Sequence, residues 1–130
     1  MKNDHIIPYR VYFEDTDLMG IVYHARYLYF FERARTEMLR EHGFSLTVMA
    51  QDNIYFAIRE ANVLYHFPAY LDDMLHITTS VAGQTACTLL FKQMMVNQND
   101  QLIAEATVMT VCVNRELKPR RVPTMLRAVV

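Results

Sequence analysis

The residues best suited to chemistry stand in one stretch, EDTDLMGIVYH at 14–24, which gathers three carboxylates, a glycine and a histidine. A helix predicted to begin near His24 has no Ser, Thr, Asp or Asn at its immediate N-cap. Its first amides, around Tyr23 to Ala25, are therefore donors in need of an acceptor at the positive end of the helix dipole. Three acceptors are open. Water satisfies such amides in most helices; Thr16 or Asp17 caps a helix that starts earlier, although Gly20 just inside weakens it; or the donors await an oxygen that turns negative during acyl transfer. In the last case Asp17 supplies a nucleophile or activates a water at the carbonyl, and Gly20 lets backbone approach a ligand closely. An Asp-rich structural turn before a helix is the plainer competitor.

Positioning such a group requires rigid elements on both sides of it. Ile6 to Phe13 alternates, with Tyr9, Val11 and Phe13 on one side and Arg10 and Tyr12 on the other, which predicts a half-buried strand. From His24 to His42 the period changes: Tyr27, Phe31, Ala34 and Met38 share one helical face, Arg33 and Glu37 are spaced to pair outside it, and Gly43 is placed to end the helix. Its first half, YLYFF, is apolar nearly all round. That half must be covered by a curved sheet, a subunit interface, or both. Leu46 to Gln51 reads as a short helix. Strands follow at Tyr55 to Phe67, Met74 to Ala82, Thr88 to Asn97 and Leu102 to Val113, punctuated by Pro68, LDD at 71–73, Gly83 to Thr85 and NQND at 97–100. Strands in direct succession predict an α+β fold with helices on one face of an antiparallel sheet of about five strands.

With 130 residues, 52% hydrophobic, only 3 Gly and 4 Pro, the chain is expected to form a single domain over 1–130 and is too apolar to be disordered. Its 13 basic and 14 acidic residues provide no field for recruiting nucleic acid or anionic lipid. The start, MKNDHIIPYR, has no signal-peptide core and no run approaches a membrane span, so a cytoplasmic protein is expected. Cys87 and Cys112 are expected as free thiols rather than a disulfide. There is no G-x-S-x-G, no phosphate loop and no dinucleotide fingerprint, and the five histidines form no metal-binding pattern, so neither metal nor cofactor is expected. The one dense basic cluster, KPRR at 118–121, is either a solvated tail or a seat for a phosphate-bearing ligand.

The segment YRVYFEDTDLMGIVYHARYLYFFERARTEMLR resembles the signature of the hotdog-fold acyl-CoA thioesterases of the 4-hydroxybenzoyl-CoA thioesterase group, most closely the branch associated with the bacterial Tol-Pal system. The similarity continues through FAIREANVLYHFPAYLDDMLHI, VNQNDQLIAEATVMTVCV and LKPRRVP. The resemblance implies a long helix wrapped by an antiparallel sheet, a homodimer sharing a continuous sheet or a homotetramer, and hydrolysis of acyl-CoA to a free acid and coenzyme A. It assigns Asp17 as the catalytic carboxylate, with the amide near Tyr23 or His24 polarising the thioester carbonyl and the His24 side chain in support. Asp15 is read as ordering the loop and Glu14 as a solvated strand end.

Met19 and Arg26 depart from the pattern of many relatives, and GQTACT at 83–88 lacks the basic residues that some use for coenzyme A phosphates. Lys118, Arg120 and Arg121 are then the phosphate candidates. Tyr27 with Phe56 and Ile58, the last two from a partner's facing strand, are the candidates for the acyl pocket. Acyl carrier protein is a further candidate partner. The rival expectations are a binding protein for acyl carrier protein or an envelope complex on the same scaffold, and a hydratase or dehydratase of acyl thioesters.

Overall fold

The computed structural model describes residues 4–130. Residues 1–3, part of the start read above as lacking a leader, lie outside them. In chain order the elements are β1 (His5–Arg10), a single 3-10 turn (Phe13–Asp15), α1 (Arg26–Glu41), α2 (Leu46–Gln51), β2 (Tyr55–Tyr65), β3 (Met74–Gln84), β4 (Thr88–Val96), β5 (Leu102–Val113) and α3 (Thr124–Val129). The strands form one antiparallel sheet in the order β1-β3-β4-β5-β2, with α1 packed on β1 and β3. This is the hotdog arrangement.

Period two governs the sheet. Leu89, Phe91, Gln93 and Met95 of β4 are buried while their neighbours are not, and Leu75, Ile77 and Thr79 of β3 face the same interior. Against them α1 sets Tyr27, Phe30, Phe31, Ala34 and Met38, each at most 3% exposed. Phe30 and Phe31 alone remove side chains worth about 1.5–3 kcal/mol each from water. One polar group ties helix to sheet inside this core. Gln93 donates to the Phe31 carbonyl (2.8 Å) and the Thr79 hydroxyl (3.0 Å) and accepts from Arg35 (3.1 Å). Among the described residues Arg35 has no carboxylate within salt-bridge reach, and its burial lowers its pKa.

Gly43 adopts φ +87° and ends α1 in a Schellman arrangement, the Phe44 amide reaching the Leu39 carbonyl at 2.9 Å. Three expectations need correction, and one element is an addition to them. Phe13 is 81% exposed rather than on the buried side, because β1 stops at Arg10 and the chain turns through the 3-10 turn. Arg33 does not pair with Glu37: it donates to the Tyr9 hydroxyl, and Glu37 takes Arg40 at 3.1 Å. Phe67 lies beyond β2, and α3 was not foreseen. Both cysteines are free, Cys112 buried and Cys87 partly so.

The apolar first half of α1 is covered only in part. Phe30 and Phe31 are enclosed, but Leu28 and Tyr29 are 44% and 56% exposed, and the outer strand β2 leaves Ile58, Leu64 and Tyr65 open along a free edge.

Candidate active site

The stretch 14–24 folds as a small hairpin clamped to the start of α1. Thr16 bridges Val22, and Ile21 on the return arm bridges Tyr70, so this arm is held from both sides. The reversal is a tight turn: the Asp17 amide donates to the Ile21 carbonyl (2.9 Å) and the Gly20 amide to the Asp17 carbonyl (3.0 Å). Gly20 sits at φ +78° with nothing within 4 Å of where a Cβ would stand, so backbone conformation rather than crowding demands glycine here.

The two aspartates differ in surroundings. Asp15 is 3% exposed; its carboxylate accepts from the Tyr12 amide (2.9 Å) and from two Arg26 nitrogens (2.7 and 3.2 Å). The same hydrogen bond, with the charge behind it, raises the Arg26 pKa. Arg26 also reaches Glu14 at 3.3 Å, so this guanidinium, unexpected at its position, locks the loop to the helix. Asp17, two residues on, is exposed. Its Oδ1 accepts the Met19 amide (2.9 Å), an Asx turn that orients the carboxylate without neutralising it, and Oδ2 has no partner among the described residues. Asp17 and Gly20 line an open groove of about 640 Å³ with Phe13, Thr16, Leu18 and Leu71.

At the mouth of α1 the donors divide. The Tyr23 amide is already paired to the Asp15 carbonyl at 2.9 Å, because the hairpin continues its ladder that far. This removes Tyr23 as an oxyanion donor. The amides of His24 and Ala25 have no acceptor among the described residues, and Ala25, the N-cap, offers no side chain to the helix. His24 is exposed, its ring tilted against Tyr23 at 4.5 Å and its carbonyl held by the Tyr65 hydroxyl at 3.0 Å. It lines a second groove, of about 270 Å³, with Ile21, Tyr27, Tyr65 and Pro68. The two grooves meet at consecutive residues, Gly20 and Ile21.

Tyr27 is buried beside His24, its hydroxyl accepting the Ala69 amide (3.2 Å), and burial raises its pKa. Phe56 and Ile58 of the same chain line a separate cavity of about 180 Å³ with Arg35, Leu39 and Phe91, so within one protomer they do not meet Asp17. Among the basic candidates, Arg120 is engaged with the carbonyls of Asp52 (3.0 Å) and Asn53 (2.9 Å), pinning the turn before β2. Lys118 and Arg121 are exposed, and none of the three lines the grooves of Asp17 or His24. Sequence reasoning missed Tyr65 and Leu71. Ala25 was within the span of unpaired amides, but nothing in the sequence marks a hydroxyl 41 residues on as the partner of His24.

Comparison with known proteins adds three findings. The model of the thioesterase-like superfamily matches residues 11–130. The chain is similar to acyl-CoA thioester hydrolase YbgC of Escherichia coli, 47% identical over 93% of this chain and 91% of the relative, and to acyl-CoA thioesterase YbgC of Haemophilus influenzae, 40% identical over 98% and 95%. A crystal structure of a probable thioesterase from Bartonella henselae superposes with a TM-score of 0.89 at 36% identity, over 92% of this chain and 99% of that one.

Proposed function

The chain belongs to the thioesterase-like superfamily and is a thioesterase, and from that premise we propose that it hydrolyses acyl-CoA to a free acid and coenzyme A with Asp17 as the reacting carboxylate. The observation that carries this reading is the pair of unpaired amides, His24 and Ala25, at the mouth of α1. Donors aimed at a developing oxyanion contribute about 10²–10³ each in rate where they have been removed. Asp17 acts by one of two routes. As a general base it takes a proton from the water whose oxygen attacks the carbonyl carbon. As a nucleophile its carboxylate oxygen attacks, and water then cleaves the mixed anhydride. In both the C–S bond breaks and the sulfur leaves as a thiolate, a leaving group good enough to need no strong acid beside it.

His24 supports by orienting substrate or water, Gly20 keeps the turn open to the ligand, and Tyr27 closes one wall. The acyl group completes its pocket with Phe56 and Ile58 of a second copy. The free edge of β2 and the exposed Leu28, Tyr29 and Leu64 support that assembly, a homodimer or homotetramer. No helix among the described residues is long and apolar enough to cross a membrane. The reading includes work in the cytoplasm, beside the Tol-Pal system of the branch that the sequence resembles, with acyl carrier protein as a candidate partner and no cofactor.

The test is a panel of short, long and aromatic acyl-CoAs assayed for released thiol with wild type and Asp17→Asn. The variant keeps the acceptor for Met19, so it folds; kcat drops by about 10²–10⁴. Unchanged rates remove Asp17 from its role.

A further inference from the structure

A third groove adjoins the one at Asp17. It is open, about 400 Å³ in volume, and Tyr9, Arg10, Tyr12, Glu14, Asp15 and Arg33 line it; Glu14 borders both grooves. Its charges are unevenly satisfied. Glu14 and Asp15 are both held by Arg26, whereas among the described residues neither Arg10 nor Arg33 has a carboxylate within salt-bridge distance. Arg10 donates to the Asp72 carbonyl at 2.7 Å, and Arg33 donates to the Tyr9 hydroxyl with its guanidinium over that ring, 5.3 Å from the centroid. Arg26, outside the lining, engages both of the groove's carboxylates and so leaves Arg10 and Arg33 without an anionic partner there. Tyr12, 63% exposed, presents a ring to the same space.

We propose that this groove seats the phosphorylated nucleotide end of the coenzyme A thioester, with Arg10 and Arg33 on its phosphates and the Tyr12 ring against the adenine. The inference rests on the acyl-CoA reading above and gives it a phosphate site adjoining Asp17, whose groove none of Lys118, Arg120 and Arg121 lines. Guanidiniums fixed by one neutral contact each keep further N–H donors free and suit phosphate geometry. An exposed tyrosine offers a base a face to stack on. The shared Glu14 puts the nucleotide and the reacting carboxylate in adjoining spaces, as one extended substrate requires.

Two measurements test it. In the first, kcat/KM is compared for an acyl-CoA and for the same acyl group on pantetheine, which lacks the nucleotide. The double variant Arg10→Ala, Arg33→Ala is expected to lower the ratio of the two about tenfold or more, through KM; an unchanged ratio overturns the site. In the second, on wild type alone, free coenzyme A is expected to inhibit several-fold more tightly than its analogue without the 3′-phosphate, and equal inhibition overturns it. Calorimetry with adenosine 3′,5′-bisphosphate separates the two readings. Binding that depends on Arg10 and Arg33, in a protein that releases no thiol from any acyl-CoA, keeps the site and rejects the hydrolysis.

Discussion

Replacing Asp15 separates the two aspartates of the loop by role. Its carboxylate is 3% exposed and accepts three hydrogen bonds, from the Tyr12 amide and twice from Arg26. A hydrogen bond to a charged group is worth about 1.5–3 kcal/mol. The Arg26 side chain keeps 23% of its exposure, so water recovers part of what that partner loses. Counting the amide bond in full and the arginine pair at a discount puts Asp15→Ala at about 3 kcal/mol, or about 10 °C in Tm for a chain of this size. The loop that carries Asp17 loosens with it, so kcat also falls. Thermal unfolding measured beside thiol release gives a crossed pattern: Asp15→Ala lowers both Tm and kcat, and Asp17→Asn lowers kcat alone. A Tm within about 2 °C of wild type for Asp15→Ala would refute the reasoning, because an anchor removed from a closed network must register in stability.

Two further outcomes follow from the core. Gln93→Ala removes the bonds to Phe31, Thr79 and Arg35 together and leaves a buried helix carbonyl without its cross-link, at a cost of about 2–4 kcal/mol, read as a lower denaturant midpoint at unchanged m. Stability falls at alkaline pH: burial raises the Cys112 thiol above its ordinary 9.0 and the Tyr27 phenol above its ordinary 10.0, so the fold retains protons that the unfolded chain sheds. That contribution is whole below pH 9 and is lost as pH rises past 9 and 10. Urea midpoints at pH 8 and pH 10.5 check it, and an equal midpoint at both contradicts it.

The sheet and α1 were legible because their signal is periodic and their burial one-sided. Leu102–Val113 and Leu46–Gln51 coincide with the expected spans, and the apolar face of α1 is the one buried. What was not legible is tertiary. Alternation continued through Phe13 on paper, but the Asp15 side chain captures the Tyr12 amide and turns the strand away. Arg33 and Glu37 have the spacing of a pair, and a tyrosine on β1 takes the arginine instead. The helix at Thr124–Val129 is six residues, too short for a period to show.

The donors at α1 reveal the same division between local and tertiary causes, and with more at stake for function. Sequence alone left the amides around 23–25 equivalent, with water, a cap or an oxyanion as their acceptor. The hairpin resolves one of them: Tyr23 is the last rung of the ladder from Asp15, so it cannot also serve a substrate. That rung holds the backbone just before His24 against a loop whose far end bears Asp17, while Arg26 holds the same loop from within the helix. Two fixings on either side of His24 and Ala25 leave those amides bare yet rigid. A helix that was only structural would gain about 1 kcal/mol from a capping side chain at Ala25. Its absence, beside a loop so tightly clamped, is the local inconsistency expected where a protein keeps backbone donors for a ligand.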